Sequence, residues 1–193
     1  ETDQYQEAED LIRNSLEKNP GQKYLHVELG YNYERQQKTA LANKEYATAL
    51  QAIDLNPSMG GLVGRMFRQN NLLDNAVLAY TKTMELNPNA RYQFQVAQIY
   101  GEQGEFAKMF DSYVDLVNSN ESYVGTVQRL ASRYVSDDPL DENNIALKRS
   151  LLRKSVSNPK NVWNELLSWL FSKQKEYDKA LIQEKALFKR NPK

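Results

Sequence analysis

The sequence predicts an all-α fold, a right-handed superhelical solenoid of antiparallel helix pairs with about eleven helices. Three observations carry that prediction. An asparagine-led stop recurs at the ends of helix-like runs. An anchor residue, mostly alanine, recurs inside those runs at spacings of 33 to 38 residues. A large–small–aromatic pattern recurs on a second set of runs just upstream of the anchors.

Composition narrows the function before any motif is considered. Of the 193 residues, 40% are hydrophobic and 26% charged, enough apolar material for a buried core and too much for a disordered chain. No apolar run approaches the ~18 residues that a membrane-spanning helix needs, so membrane insertion is not expected. Basic and acidic side chains balance at 25 each, which gives no support to wholesale nucleic-acid or membrane-surface binding. Cysteine is absent and His26 is the only histidine, which removes thiol chemistry and leaves little for metal binding or acid–base catalysis. An enzyme is not expected, and neither is a cofactor.

The stops come first. Five of the six prolines follow asparagine, at Asn19-Pro20, Asn56-Pro57, Asn87-Pro88, Asn158-Pro159 and Asn191-Pro192, and Asn120-Glu121 reads as a sixth stop without its proline. A residue before proline is pushed out of the α region, and asparagine tolerates the left-handed conformation that often ends helices. Within the runs so delimited, the anchors are Ala8, Ala42, Ala76, Met109, Leu147 and Ala180. Four residues on, one turn along the same face, stand Ile12, Tyr46, Tyr80, Tyr113, Leu151 and Glu184. Upstream lie Leu29-Gly30-Tyr33, Val63-Gly64-Phe67, Val96-Ala97-Tyr100 and Leu130-Ala131-Tyr134, each a close-contact point followed by an aromatic plug. The expected helices cover 4–18, 23–36, 39–54, 58–69, 72–86, 90–102, 105–118, 122–135, 141–157, 161–173 and 176–190.

This pattern resembles the tetratricopeptide repeat, whose signature is a large residue, Leu-Gly and Tyr on one helix, then Ala, an aromatic and a closing Pro on the next. The resemblance spans the chain as one solenoid, 1–193: a half repeat at 1–22 and repeats at 23–56, 57–89, 90–122, 123–160 and 161–193. There are departures. The family's turn glycine survives only as Gly104, its places elsewhere being taken by Gln37, Asn71, Asp138 and Lys175. Glu184 replaces the aromatic of the last repeat, Ser168 holds the small position of its first helix, and the insert 136–144 lengthens the fifth. No initiator Met is present and the chain stops at a repeat boundary, the marks of a piece cut from a longer array whose uncapped ends could self-associate.

The resemblance implies that the first helix of each pair lines a concave groove where an extended peptide or partner helix lies. Side chains there not committed to Leu-Gly-Tyr packing are Tyr24, Val27, Tyr31, Glu34 and Arg35, then Arg65, Arg68 and Gln69, then Arg91, Phe94, Gln98 and Glu102. The fifth and sixth repeats add Gln128, Ser132, Glu165, Trp169 and Lys173. Among these, Arg35, Arg65, Arg68 and Arg91 beside Tyr24, Tyr31 and Phe94 form the most informative set, since arginine binds carboxylates bidentately and aromatics supply rigid anchors. The expected ligand is a protein or peptide, with an acidic segment or C-terminal carboxylate suiting the arginines. The competing expectation is that these arginines merely pair with Glu34 and Glu102. Val27 and Tyr31 stand where the family's chaperone-tail clamp would begin, so that ligand is not expected.

Other features have blander readings. Gly60-Gly61 and Gly64 lack the lysine of a phosphate loop and read as close-packing points. Asp137, Asp138, Asp141 and Glu142 match no calcium-loop spacing and read as a solvated turn with a helix cap at Asp141 or Ser136. His26 and Trp163 read as packing residues. Residues 111–145 carry two basic and seven acidic side chains, whereas 146–193 carry twelve basic and four acidic. A solvated basic face, or docking onto the acidic stretch of another copy, is expected in preference to nucleic-acid binding. The function expected is a non-enzymatic interaction scaffold; the alternative is a recruitment or regulatory region of a larger enzyme or cell-envelope assembly. Absent cysteine, many Asn, Gln and Tyr residues and the missing start lean toward an exported bacterial protein, periplasmic or in the cell envelope.

Overall fold

The computed structural model describes residues 2–190, with side chains from Gln4 onward. Among the described residues there are eleven α-helices and no strand. They are α1 (Thr2–Lys18), α2 (Leu25–Arg35), α3 (Thr39–Leu55), α4 (Gly60–Gln69), α5 (Leu73–Leu86), α6 (Gln93–Glu102), α7 (Phe106–Ser119), α8 (Val124–Ala131), α9 (Glu142–Ser157), α10 (Asn161–Lys173) and α11 (Tyr177–Arg190). The chain divides into two compact units, Glu1–Tyr92 with α1–α5 and Gln93–Lys193 with α6–α11. The stop expected at Asn191-Pro192 lies outside the described residues.

Four successive helix pairs pack closely: α2 with α3 and α4 with α5 in the first unit, α6 with α7 and α10 with α11 in the second. One turn builds all four. Gln37, Asn71, Gly104 and Lys175 take φ of 59°, 58°, 75° and 60°, the left-handed region. The amide just after each bonds back to the carbonyl of the aromatic plug: Lys38 to Tyr33 at 2.9 Å, Leu72 to Phe67 at 2.9 Å, Glu105 to Tyr100 at 2.8 Å and Glu176 to Phe171 at 2.9 Å. This is a Schellman ending, in which one left-handed residue satisfies the last carbonyls and reverses the chain. The reversal is tight enough that the next helix can only run back antiparallel.

The pairs close on glycine. A Cβ on Gly30 would stand 2.5 Å from Cδ1 of Tyr46, and one on Gly64 would stand 2.6 Å from Cε1 of Tyr80. Gly60 and Gly61 lie just as tightly against Thr83 and the Tyr92 ring, whose Cζ would be 2.9 Å away. The packing interpretation of this glycine run therefore holds. Tyr46 then meets the plug of the next first helix, Phe67, edge-on at 5.5 Å. The anchors Ala42, Ala76, Met109, Leu147 and Ala180 are all buried.

α1 docks onto α2 by polar contacts. The Tyr33 hydroxyl donates to Glu9 at 2.5 Å, Arg13 donates to that hydroxyl at 2.6 Å and to Glu9 at 2.8 Å, and Asn32 donates to the Tyr5 carbonyl at 3.0 Å.

The fifth pair departs from expectation. α8 was expected to run to 135 and ends at Ala131; α9 packs chiefly on α7 and α10 rather than on α8. Beyond Ala131 the chain goes on in turns, Tyr134 and Val135 donating their amides to the Ala131 carbonyl at 2.9 and 3.1 Å. The insert is then organised by Asn144, which is fully buried and donates to the carbonyls of Ser136 at 3.0 Å and Asp138 at 2.6 Å. Asp141 caps α9 through the amides of Asn143 and Asn144.

One further expectation needs correction. Asn56, Asn87, Asn120 and Asn158 end their helices in extended backbone, φ −147°, −128°, −157° and −146°, not in the left-handed region. Three of these positions precede proline, which excludes the helical conformation. The asparagine side chain instead accepts the amide two residues on, as at Ser58, Asn89 and Ser122, so it opens the next turn. Part of the acidic stretch is met by basic side chains within the second unit. Arg153 pairs with Asp111 at 2.5 Å, Lys154 with Asp115 at 2.7 Å, Lys160 with Glu121 at 3.4 Å and Lys175 with Asp137 at 2.6 Å. Much of the acidic stretch is thus neutralised by its own chain, which leaves less of it for another copy.

Candidate functional site

The first helices do present side chains at the expected positions, but each unit uses them differently. In the first unit, Tyr31 is half-buried and Arg35 exposed on α2, and the neighbouring phenols of Tyr5 and Tyr31 raise the already high pKa of Arg35. Tyr24 stands at the N-terminal boundary of α2, half-buried. Val27, expected on the groove, is fully buried; its side chain is core. Glu34 is taken by the Tyr46 hydroxyl at 2.5 Å rather than by an arginine. Burial, and then that bond, holds the Tyr46 phenol above its ordinary range, so it remains a donor.

Arg65 and Arg68 on α4 both act on Tyr80: burial raises this phenol, and the two guanidiniums draw it back. Tyr92 stacks on Tyr80 with ring centroids 4.9 Å apart. Arg91 is the clear correction. It precedes α6 and curls onto its own turn, donating to the carbonyls of Pro88 at 2.5 Å and Ala90 at 3.0 Å. A guanidinium already shared between two carbonyls is poorly placed for an external carboxylate. Of the four arginines, Arg91 is thus held by its own turn, Arg35 stands exposed on α2, and Arg65 and Arg68 act on the Tyr80–Tyr92 stack.

In the second unit, Phe94 and Trp169 are half-buried against the core rather than free anchors. Trp163 is fully buried, and its indole donates to the Asn158 carbonyl at 2.7 Å, as a packing residue should. Gln98 lines a cavity of about 230 Å³ between α6, α7 and the end of α8. Its floor is Ala97, Met109 and Leu130, with Gly101 opening one wall; its polar groups are Gln98, Glu102 and Arg133, with the rings of Tyr113 and Tyr134 alongside. Burial pushes the Tyr113 phenol up, with Tyr134 adding and Arg133 opposing. The sequence pointed to Gln98 and Glu102 but missed Arg133 and Tyr134, because both were assigned to the helix that ends early at Ala131.

His26 is a half-buried pair with Glu45, Nδ1 to Oε2 at 2.6 Å, which ties α2 to α3. That matches a packing role with a polar partner.

The pairing, the shared turn and the glycine–aromatic contacts make this a tetratricopeptide-like helical-repeat fold. No family model matches the chain, and no curated protein matches it. Solved structures that resemble it include a chain from the structure of Naa15/Naa10 bound to HypK-THB, at 19% identity and a TM-score of 0.39. The likeness covers 98% of this chain and 35% of that one, so the present chain spans about a third of its length.

Proposed function

We propose that the chain is a non-enzymatic protein-interaction module whose first-helix faces bind an extended peptide segment. The observation that carries this is the α6–α8 cavity, where an apolar floor is ringed by Gln98, Glu102 and Arg133. At about 230 Å³ it lies below the ~300–1,000 Å³ usual for small-molecule and cofactor sites and suits a single inserted side chain. On its rim Arg133 supplies a guanidinium that can orient a ligand by hydrogen bonding. The Tyr113 phenol, raised by burial, stays protonated and serves as a donor rather than a base. In the first unit, Arg65 and Arg68 beside stacked aromatics favour an acidic stretch of ligand.

The test is selection of binders from a displayed random-peptide library, followed by anisotropy titration of the enriched peptide. Gly101→Leu, which fills the cavity, should abolish binding without loss of helicity. A peptide that binds this variant as well as the wild type would refute the cavity assignment.

A further inference from the structure

A second surface stands apart from the first-helix faces. α9 packs on α7 and α10 through its buried residues Asn144, Leu147, Ser150 and Leu151. Its other flank carries Ile145, Arg149, Leu152 and Val156, at spacings of four, three and four residues. That is the seam spacing of two heptads, with Lys148 and Arg153 at the bordering positions. The six side chains line an open, mostly apolar furrow. Leu152 is 46% exposed and Val156 83%.

Charge identifies what fits. Arg153 and Lys154 are already matched by Asp111 and Asp115 of α7. Among the described residues neither Lys148 nor Arg149 has an ion-pair partner. An arginine in the middle of an apolar seam is poorly served by an apolar partner and well served by a carboxylate placed opposite it. Asp111, Asp115, Glu121 and Asp137 are engaged inside this same unit, so those four carboxylates of a second copy are poor partners for the two cations.

We infer that this flank of α9 is a docking surface for an amphipathic helix of a different protein, one with an apolar seam and acidic residues opposite Arg149 and Lys148. The interaction is helix against helix, with the apolar row supplying affinity and the cations supplying register and partner choice.

Two labelled peptides of about 18 residues, long enough to cover both heptads, test it. They share one leucine seam and carry either glutamate or lysine at the seam-centre and bordering positions. Anisotropy titration against the full chain should show the glutamate peptide binding at least tenfold more tightly than the lysine peptide, and more weakly as salt rises. Arg149→Glu together with Lys148→Glu should reverse the preference, and Val156→Asp should abolish binding of both. Gly101→Leu should change neither, which separates this surface from the cavity. Equal binding of the two peptides, an unchanged preference in the charge-reversed variant, or no binding to either would overturn the proposal. So would association with phosphatidylserine vesicles in place of peptide, or a self-association that Val156→Asp removes.

Discussion

Tyr46 lies against Gly30 so closely that a Cβ on the glycine would stand 2.5 Å from the ring's Cδ1. Sixteen residues separate the two, and the same interval separates Gly64 from Tyr80. Each ring fills the space that the missing side chain leaves. Gly30→Ala and Gly64→Ala should therefore each destabilise the chain by roughly 1–3 kcal/mol, measured by urea denaturation. Combining Gly30→Ala with Tyr46→Leu should cost less than the separate losses added together, because the ring is what the new methyl strikes.

Gly104 tests a different property. A Cβ there meets nothing within 4 Å, yet φ is 75°. Gly104→Ala should destabilise by about 1–2 kcal/mol through backbone strain alone. Conversely, Gln37 is exposed and holds φ at 59° without the glycine its place favours. Gln37→Gly should stabilise, by about 1 kcal/mol or somewhat less, since relief of the left-handed strain is offset by greater freedom in the unfolded chain. A lowered denaturation midpoint for Gln37→Gly would contradict this account of the turn.

The attachment of α1 should depend on pH. Glu9 is held below the usual carboxylate range chiefly because the Tyr33 hydroxyl donates to it; burial opposes and Arg13 reinforces. A depressed carboxylate contributes stability above its unfolded pKa and loses it as pH falls through the folded value. Hydrogen exchange in α1 should accordingly quicken relative to α3 below about pH 4, and Glu9→Gln should weaken α1 at neutral pH while flattening that dependence. Burial raises the phenols of Tyr33, Tyr46, Tyr80 and Tyr113. Raised groups of this kind contribute fully below the unfolded value, so stability should also fall above about pH 10 as the unfolded chain's tyrosines ionise.

Asn144 organises the insert. Its amide donates to two backbone carbonyls of the insert and accepts the Ser136 amide at 3.3 Å. Asn144→Leu keeps the volume but leaves those groups unpaired, and should cost about 2–4 kcal/mol, against less than 1 kcal/mol for the exposed Glu142→Ala. Equal effects of the two substitutions would remove Asn144 from its assigned role.

Much of this fold was legible because periodic constraints leave periodic residues. The glycine and aromatic of the α2–α3 and α4–α5 pairs touch, so both recur there; the left-handed turn residue sits at one fixed distance, so its place is legible even where Gln37 or Lys175 occupies it. What was not legible depends on bonds without a period. α8 ends early, at Ala131, and Arg133 just beyond it lines the cavity. The sequence alone could not show that Arg91 folds back on its own turn or that Asp111 is met by Arg153, since both follow from side-chain positions set after the helices pack. Val27 was misplaced because the flank of α2 that it occupies is covered, not open.

The central claim is that the first-helix face of the second unit recognises a peptide side chain in the α6–α8 cavity. The most direct measurement is a titration of the isotope-labelled chain with the library-selected peptide, followed by amide chemical shifts. The account predicts the largest changes at Gln98, Gly101, Glu102, Arg133 and Tyr134, and their loss in Gly101→Leu. Shifts confined to the outer surfaces of α3, α5 and α7, or unchanged binding by a chain carrying both Gly101→Leu and Arg133→Ala, would contradict it.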